Sequence, residues 1–251
     1  LPEVKDFFIG SEQRWLYLIF RNGRYGILDL NNSDIRDIVT LTSEGTLTED
    51  GQSVTTATFL LGGLSLLIGI EGEISQYFLV REEGSNYRFK KVRSFDTDGG
   101  SPVAIIPEHR RKGFVALMES GHIQIFHTTS ERHLLTQRIF QESSVPNSAV
   151  VLSPRGNELF VANANVLGSW LLDNEHPEIS WSSLWEEVWY ESYKQPEYVW
   201  QSSASTTDFE PKYSFAPLAF GTLKAAFYTM ILSAPLAIMA AIFTAYFMAD
   251  T

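Results

Sequence analysis

Apolar and polar positions alternate with a short period over the first two thirds of the chain. Short runs rich in Val, Ile, Leu, Phe and Tyr are cut by turn residues such as Asn22-Gly23, Glu71-Gly72, Gly99-Gly100, Ser120-Gly121 and Pro154-Arg155-Gly156-Asn157. A period of two broken by glycine turns is the mark of hairpins, because glycine takes positive φ at low cost. Strands are expected at 7–9, 15–20, 25–29, 37–41, 55–61, 66–71, 74–80 and 87–95. A second set is expected at 103–106, 113–119, 122–127, 134–140, 149–152, 158–162 and 166–172. No helical period of useful length precedes residue 180.

The pattern also repeats. An apolar strand, a turn glycine and an interleaved strand recur around Gly23, Gly72 and Gly121, which fall 49 residues apart. A degenerate fourth copy puts Asn165 in the glycine's place, 44 residues further on; Asn is the next most tolerant residue for left-handed backbone. Repeats of 40–50 residues with about four strands each indicate β-propeller blades. In pattern they resemble WD-repeat propellers, without the Trp-Asp dipeptide of that family. The expected fold class is all-β: about four propeller-like blades, then a short amphipathic helix and a C-terminal transmembrane helix. A β-sandwich of the same strands is the alternative architecture.

After Trp181 the pattern changes. Trp181, Trp185 and Trp189 recur at helical spacing, with Leu184 and Val188 on the same side, and Ser183 with Glu186 fits a capping box. A helix over about 182–192 follows. Five of the six tryptophans lie between Trp170 and Trp200. Trp and Tyr favour the membrane interface, so Trp181, Trp185 and Trp189 read as an interfacial collar. A polar linker covers 201–208.

From Ala216 onward the chain is apolar, and residues 225–249 carry no charge. At 1.5 Å per residue such a helix is about 37 Å long, against a bilayer core of about 30 Å. Its hydroxyls, on Tyr228, Thr229, Ser233, Thr244 and Tyr246, can bond one turn back or sit at the interface. Pro235, near the middle, is tolerated in membrane helices. The resulting division is a β domain over 1–180, an aromatic connector over 181–214 and a membrane segment over 215–251. The chain opens on Leu1 and reads as part of a longer membrane protein.

Composition narrows the chemistry. With 30 acidic against 19 basic residues and a net charge of −11, the chain lacks the basic footprint that nucleic acid or an anionic lipid surface requires. No cysteine is present, so disulfides and thiolate metal sites are excluded. Asp96-Thr97-Asp98-Gly99-Gly100 opens like a calcium loop, but Pro107 stands where the twelfth-position Glu belongs, and a turn is expected. His109-Arg110-Arg111-Lys112, the one dense basic run, reads as a hairpin tip. His122 and His127 are five apart and fall on opposite strand faces, which prevents a shared metal. There is neither a Gly-x-Ser-x-Gly elbow nor a phosphate-cradling loop. No enzymatic activity, cofactor or metal is expected.

The second half of the pattern carries a further resemblance. Trp185-Glu-Glu-Val-Trp189, Tyr198-Val-Trp200, Pro217 with Gly221-Thr222, Ser233-Ala-Pro235 and Thr244-Ala-Tyr246 together resemble the opening of the permease region of phosphate ABC importers. The resemblance covers about residues 184–251. It implies that Pro217, Gly221, Thr222, Pro235 and Tyr246 serve helix packing in a translocation pathway. It further implies a second permease subunit, an ATP-binding subunit and a periplasmic solute-binding protein as partners. The location implied is the bacterial inner membrane, with residues 1–214 in the periplasm. The alternative function is a membrane-tethered propeller that binds a protein partner and transports nothing.

Overall fold

The computed structural model describes residues 2–10, 12–31, 40–49, 51–81, 87–141, 145, 148–164, 167–201 and 210–248. Blade I is β1 (Val4–Ile9), β2 (Trp15–Phe20), β3 (Arg24–Asp29) and β4 (Thr40–Thr46). Blade II is β5 (Thr56–Phe59), β6 (Ser65–Ile70), β7 (Glu73–Arg81) and β8 (Tyr87–Asp96). Blade III is β9 (Pro102–Pro107), β10 (Gly113–Met118), β11 (His122–His127) and β12 (Arg132–Arg138). Blade IV holds β13 (Ala149–Leu152), β14 (Glu158–Ala162) and β15 (Leu167–Leu171) among the described residues. Every strand pairs antiparallel with the next in its blade.

The same two joints recur from blade to blade. The residue after the first strand donates its backbone N–H to the start of the second: Gly10 to Trp15, Leu60 to Ser65, Glu108 to Gly113 and Ser153 to Glu158, at 2.8–2.9 Å. After the fourth strand the chain turns back onto the repeat glycine. Leu47 donates to Gly23 (2.7 Å), Thr97 to Gly72 (3.0 Å) and Phe140 to Gly121 (3.0 Å). Those three glycines have φ of 78°, 78° and 81°, the left-handed geometry that side chains resist. The spacing seen in the sequence is therefore the blade itself. Asn165, the stand-in of the fourth copy, lies outside the described residues.

Stacking follows from which faces are apolar. Leu66, Ile68 and Ile70 of β6 join Tyr17, Ile19 and Ile27 of blade I in one core. Leu67 of β6 and Ile74 of β7 turn the other way, onto Phe114, Ala116 and Met118 of β10. Val115 and Leu117, the alternate residues of β10, pack on Val150, Leu152, Leu159 and Val161 of blade IV. β6 and β10 are buried along their whole length, as a strand covered on both faces must be. The first strands β1, β5, β9 and β13 neighbour one another in turn. Thr55 Oγ1 donates to Pro102 O at 2.6 Å between blades II and III. The blades thus fan from inner first strands. Phe7 and Ile9 at one end of the fan, and Leu167 and Leu171 at the other, stay exposed.

The strands lie where the alternation places them, with ends moved by up to three residues. β4 is the exception: it begins at Thr40 and runs beyond the expected 37–41, of which 37–39 lie outside the described residues. The helix expected over 182–192 is corrected more sharply. α1 spans only Trp181–Trp185. Its capping box is formed by Ser180 and Ser183, and Glu186 is its extended C-cap. From there the chain runs extended, and Val188 bridges to Glu197. A small hairpin of β16 (Trp200–Gln201) and β17 (Lys212–Tyr213) completes the connector; residues 202–209, nearly all of the expected polar linker, lie outside the described residues.

α2 (Ala216–Phe247) is one helix of 32 residues, long and apolar enough to cross a membrane. None of it is buried. Thr222 donates its hydroxyl to Leu218 O (2.8 Å), Thr229 to Ala226 O (2.8 Å) and Thr244 to Ala240 O (2.9 Å). These back-bonds hide the hydroxyls' polarity against the helix.

The repeat glycines differ in what surrounds them, which gives a paired test. A Cβ on Gly121 would lie 2.2 Å from the Phe140 carbonyl oxygen, while one on Gly72 meets nothing within 4 Å. Gly72→Ala should cost about 1–2 kcal/mol, the left-handed penalty alone. Gly121→Ala should cost more than about 3 kcal/mol, because backbone must also move. Urea unfolding followed by tryptophan fluorescence measures both.

Candidate functional site

Two places bring chemically distinctive residues together, and the connector builds both. The first is the seam between blades II and III, at the end where the β5–β6, β9–β10 and β11–β12 turns meet. β7 and β8 send Gln76 and Arg93 into this seam. A bulge at Gln76 and Tyr77 turns Arg93 towards the blade III side, on the same face as Phe95. Gln76 donates to Ser65 Oγ and accepts from Arg93 at 3.1 Å. The Arg93 guanidinium also donates to Glu131 (3.1 Å) and to the Trp189 carbonyl (2.6 Å).

Lys112 is the second buried cation. It donates to Leu61 O and to Glu191, both at 2.6 Å, and both side chains of the pair are about nine-tenths covered. The basic run is thus a hairpin tip for His109, Arg110 and Arg111, which stay exposed, while Lys112 folds inward. Arg111 holds Asn174 O at 2.6 Å, Ser130 holds Pro177 O at 2.6 Å and Arg132 holds Ile179 O at 3.1 Å. Residues 174–191 are therefore strapped across the turns of blades II and III.

Apolar contacts finish the strap. Tyr190 is buried, and burial followed by the Glu210 charge pushes its phenol up to about 12. Trp189 stands edge-on to Phe78 at 6.1 Å and lies under the Lys90 ammonium, and its indole N–H donates to Tyr193 O at 2.9 Å. Trp189 is thus removed from the expected collar: it belongs to the seam, because α1 ends before reaching it.

The seam holds more titratable groups than pairs. Burial, reinforced by the Glu191 carboxylate, pushes Glu210 up to about 7; the charges of Lys112, Arg93 and Lys212 oppose this. His127 is pushed down to about 3 by burial and by Arg111, Arg93 and Arg132, so it stays neutral, with Ser130 Oγ at 3.2 Å from Nδ1. His122 instead meets Ser120. Among the described residues no group of His, Cys, Asp and Glu could hold a metal. An open groove of about 380 Å³ beside Glu3, Arg21 and Gln52 contains an Arg21–Glu3 pair at 3.0 Å and sets no nucleophile beside a base. Asp98 to Gly100 form a turn, as expected, with Gln124 donating to Asp98 O at 2.7 Å.

The second place is the mouth of α2. Phe215, the residue before the helix, donates its backbone N–H to Leu184 O at 2.7 Å. Its ring meets Trp185 at 6.0 Å and Trp200 at 5.6 Å. Trp181 lies tilted against Trp185 at 6.1 Å, and Tyr213 stands edge-on to Trp200 at 5.9 Å. Trp200 belongs to the tryptophan cluster marked in the sequence but not to the helical spacing of Trp181 and Trp185, because a two-stranded hairpin carries it; Phe215, at the helix start, carried no such signal. Pro217 occupies the first turn of α2, where its missing N–H costs nothing. Gly221 has open space around it, and Pro235 lies inside the helix without ending it. Thr222 bonds within the helix, and Tyr246 is exposed. The structure brings none of these five into contact with the blades among the described residues.

Comparison with known proteins places the fold. No protein-family model matches the chain, and no curated protein matches it. Among solved structures it is similar to the β-propeller domain of Cps50 (Swd1) from Myceliophteria thermophila, with TM-score 0.52 and 11% identity over 66% of this chain and 50% of that one. It is also similar to a putative 6-phosphogluconolactonase from Bacteroides fragilis, with TM-score 0.54 and 16% identity over 68% of this chain and 51% of that one. The chain spans about half the length of these structures. At such identity the likeness establishes a WD40-like β-propeller fold and nothing about ligands.

Two outcomes test the seam. Lys112→Met leaves the Glu191 carboxylate buried without its partner and should cost about 3–5 kcal/mol. The double variant Lys112→Met, Glu191→Leu should recover most of that in thermal melts. Glu210 binds its proton more tightly folded than unfolded. Its contribution is therefore fully present below about pH 4.5 and is lost as pH rises through about 7, a change of at most about 3 kcal/mol. Amide exchange at 188–193 should accelerate over that window and lose the dependence in Glu210→Gln.

Proposed function

We propose that this chain is a membrane-anchored β-propeller that acts as a protein-interaction module and performs no catalysis. The single observation that carries this is the connector. It is locked to the blades by the buried Arg93 and Lys112 contacts, and its other end delivers α2, which is apolar on every side and buried nowhere. On this reading residues 1–180 form the platform, 181–214 the connector and 215–251 the anchor. Propellers present turns and rims as binding surfaces, and the acidic surface suits a partner with basic character.

A second reading is favoured by α2 itself. A tether needs only length and apolarity, yet this helix carries Pro217, Gly221, Thr222, Pro235 and Tyr246 in an arrangement that resembles the opening of phosphate ABC importer permeases. Gly221 leaves a notch that nothing among the described residues fills, which suits a close neighbouring helix. On this reading the propeller stands in the periplasm of a bacterial inner-membrane importer. A solute-binding protein, a second permease subunit and an ATP-binding subunit are its partners.

A helix swap separates the two. With residues 216–247 replaced by an unrelated Leu/Ala span in the native membrane protein, the interaction module keeps its partner binding and phosphate uptake is untouched. Under the permease reading the same swap abolishes uptake, and Gly221→Leu lowers it at least tenfold. A swap that leaves the protein in the soluble fraction, or a native chain washed off membranes by alkaline carbonate, contradicts both.

A further inference from the structure

The aromatic cluster at the mouth of α2 is more than packing. Its three tryptophans arrive from separate segments: Trp181 and Trp185 from α1, and Trp200 from β16. Trp185 and Trp200 meet at Phe215, the residue before the helix, and Trp181 lies against Trp185. They nevertheless remain open to the outside, with Trp181 77%, Trp185 40% and Trp200 41% exposed. Among the described residues none of the three indole N–H groups donates to an acceptor, whereas Trp189 in the seam does. An exposed cluster of rings with free donors, contiguous with a membrane-length helix, combines an apolar body with polar tips. That combination partitions to the headgroup layer of a bilayer.

We propose that Trp181, Trp185, Trp200 and Phe215 form a seat for the phospholipid interface, which fixes how the propeller meets the bilayer. This rests on the membrane reading of α2. The register along α2 agrees with it. The charge-free part of the helix begins after Lys224, and the 23 residues 225–247 span about 34 Å, close to the hydrocarbon thickness. The Lys224 ammonium lies over the Tyr228 ring, 5.9 Å from its centroid, so the last charge before that stretch is held in a cation–π contact within its first turn. Zwitterionic lipid is the fitting surface: the cluster contributes no positive charge, Glu186 and Glu187 follow α1, and the chain carries −11 overall. Such a chain gains nothing from anionic headgroups.

The test uses the whole chain in phosphatidylcholine vesicles brominated on the acyl chain either near the headgroup or near the bilayer centre. The chain lacks cysteine, so Ala240→Cys reports insertion of α2 through protection from a water-soluble maleimide. We expect protection, with tryptophan emission quenched by a third or more by the shallow bromines and clearly less by the deep ones. The variant Trp181→Phe, Trp185→Phe, Trp200→Phe keeps the rings and should lose most of the quenching, because Trp15, Trp170 and Trp189 remain. A protected cysteine with unquenched emission, or quenching unchanged in the triple variant, overturns the seat alone. A reactive cysteine overturns the membrane reading and the seat with it.

Discussion

A β-sheet with apolar residues on both faces cannot stand alone, and the structure follows from that constraint. Ser65–Ile70 and Gly113–Met118 are apolar at nearly every position, so each must be covered on both sides. Stacking blades face to face around their first strands does this. Each interior blade donates alternate residues to two cores, Leu66 one way and Leu67 the other. The repeated glycines serve the same end: positive φ at Gly23, Gly72 and Gly121 lets the strand ends turn tightly enough to receive the closing backbone bond from the next segment.

Stacking leaves a wedge between blades where strand ends diverge, and between blades II and III polar groups fill it. Arg93 and Lys112 could not remain there unpaired, since a buried cation without partners costs several kcal/mol. The connector supplies what they lack, through the Trp189 carbonyl and the Glu191 carboxylate. The strap is therefore part of the blade stack, and so is the orientation with which it leaves. That coupling joins the β platform to the helix: Phe215 sits between Trp185 and Trp200, and α2 begins at the next residue.

The blades were legible because their information is local. Alternation sets strand faces, glycine sets turns, and a repeat shows both several times. α2 was legible for the same reason, as a long charge-free run. The connector was not. Ser183 with Glu186 fits the capping pattern that would start a helix, but Ser180 already caps one a turn earlier, and Val188 is drawn into an extended bridge to Glu197. Tertiary pairing overrode helical spacing, so Trp189 left the face of Trp181 and Trp185. The seam was invisible for another reason. Arg93 and Trp189 lie 96 positions apart, and Lys112 and Glu191 lie 79 apart; no spacing rule links them. The basic run around Lys112 hid one inward cation among exposed neighbours.

On the proposed reading two media hold one chain: protein holds the blades and strap, and lipid holds α2, a helix long and apolar enough to cross a membrane. Amide exchange on the whole chain in lipid nanodiscs, with urea added to melt the propeller, tests this most directly. The account predicts that amides of the blades lose protection together while those of 225–247 stay protected. Loss of protection in α2 along the same urea curve as the blades would contradict it.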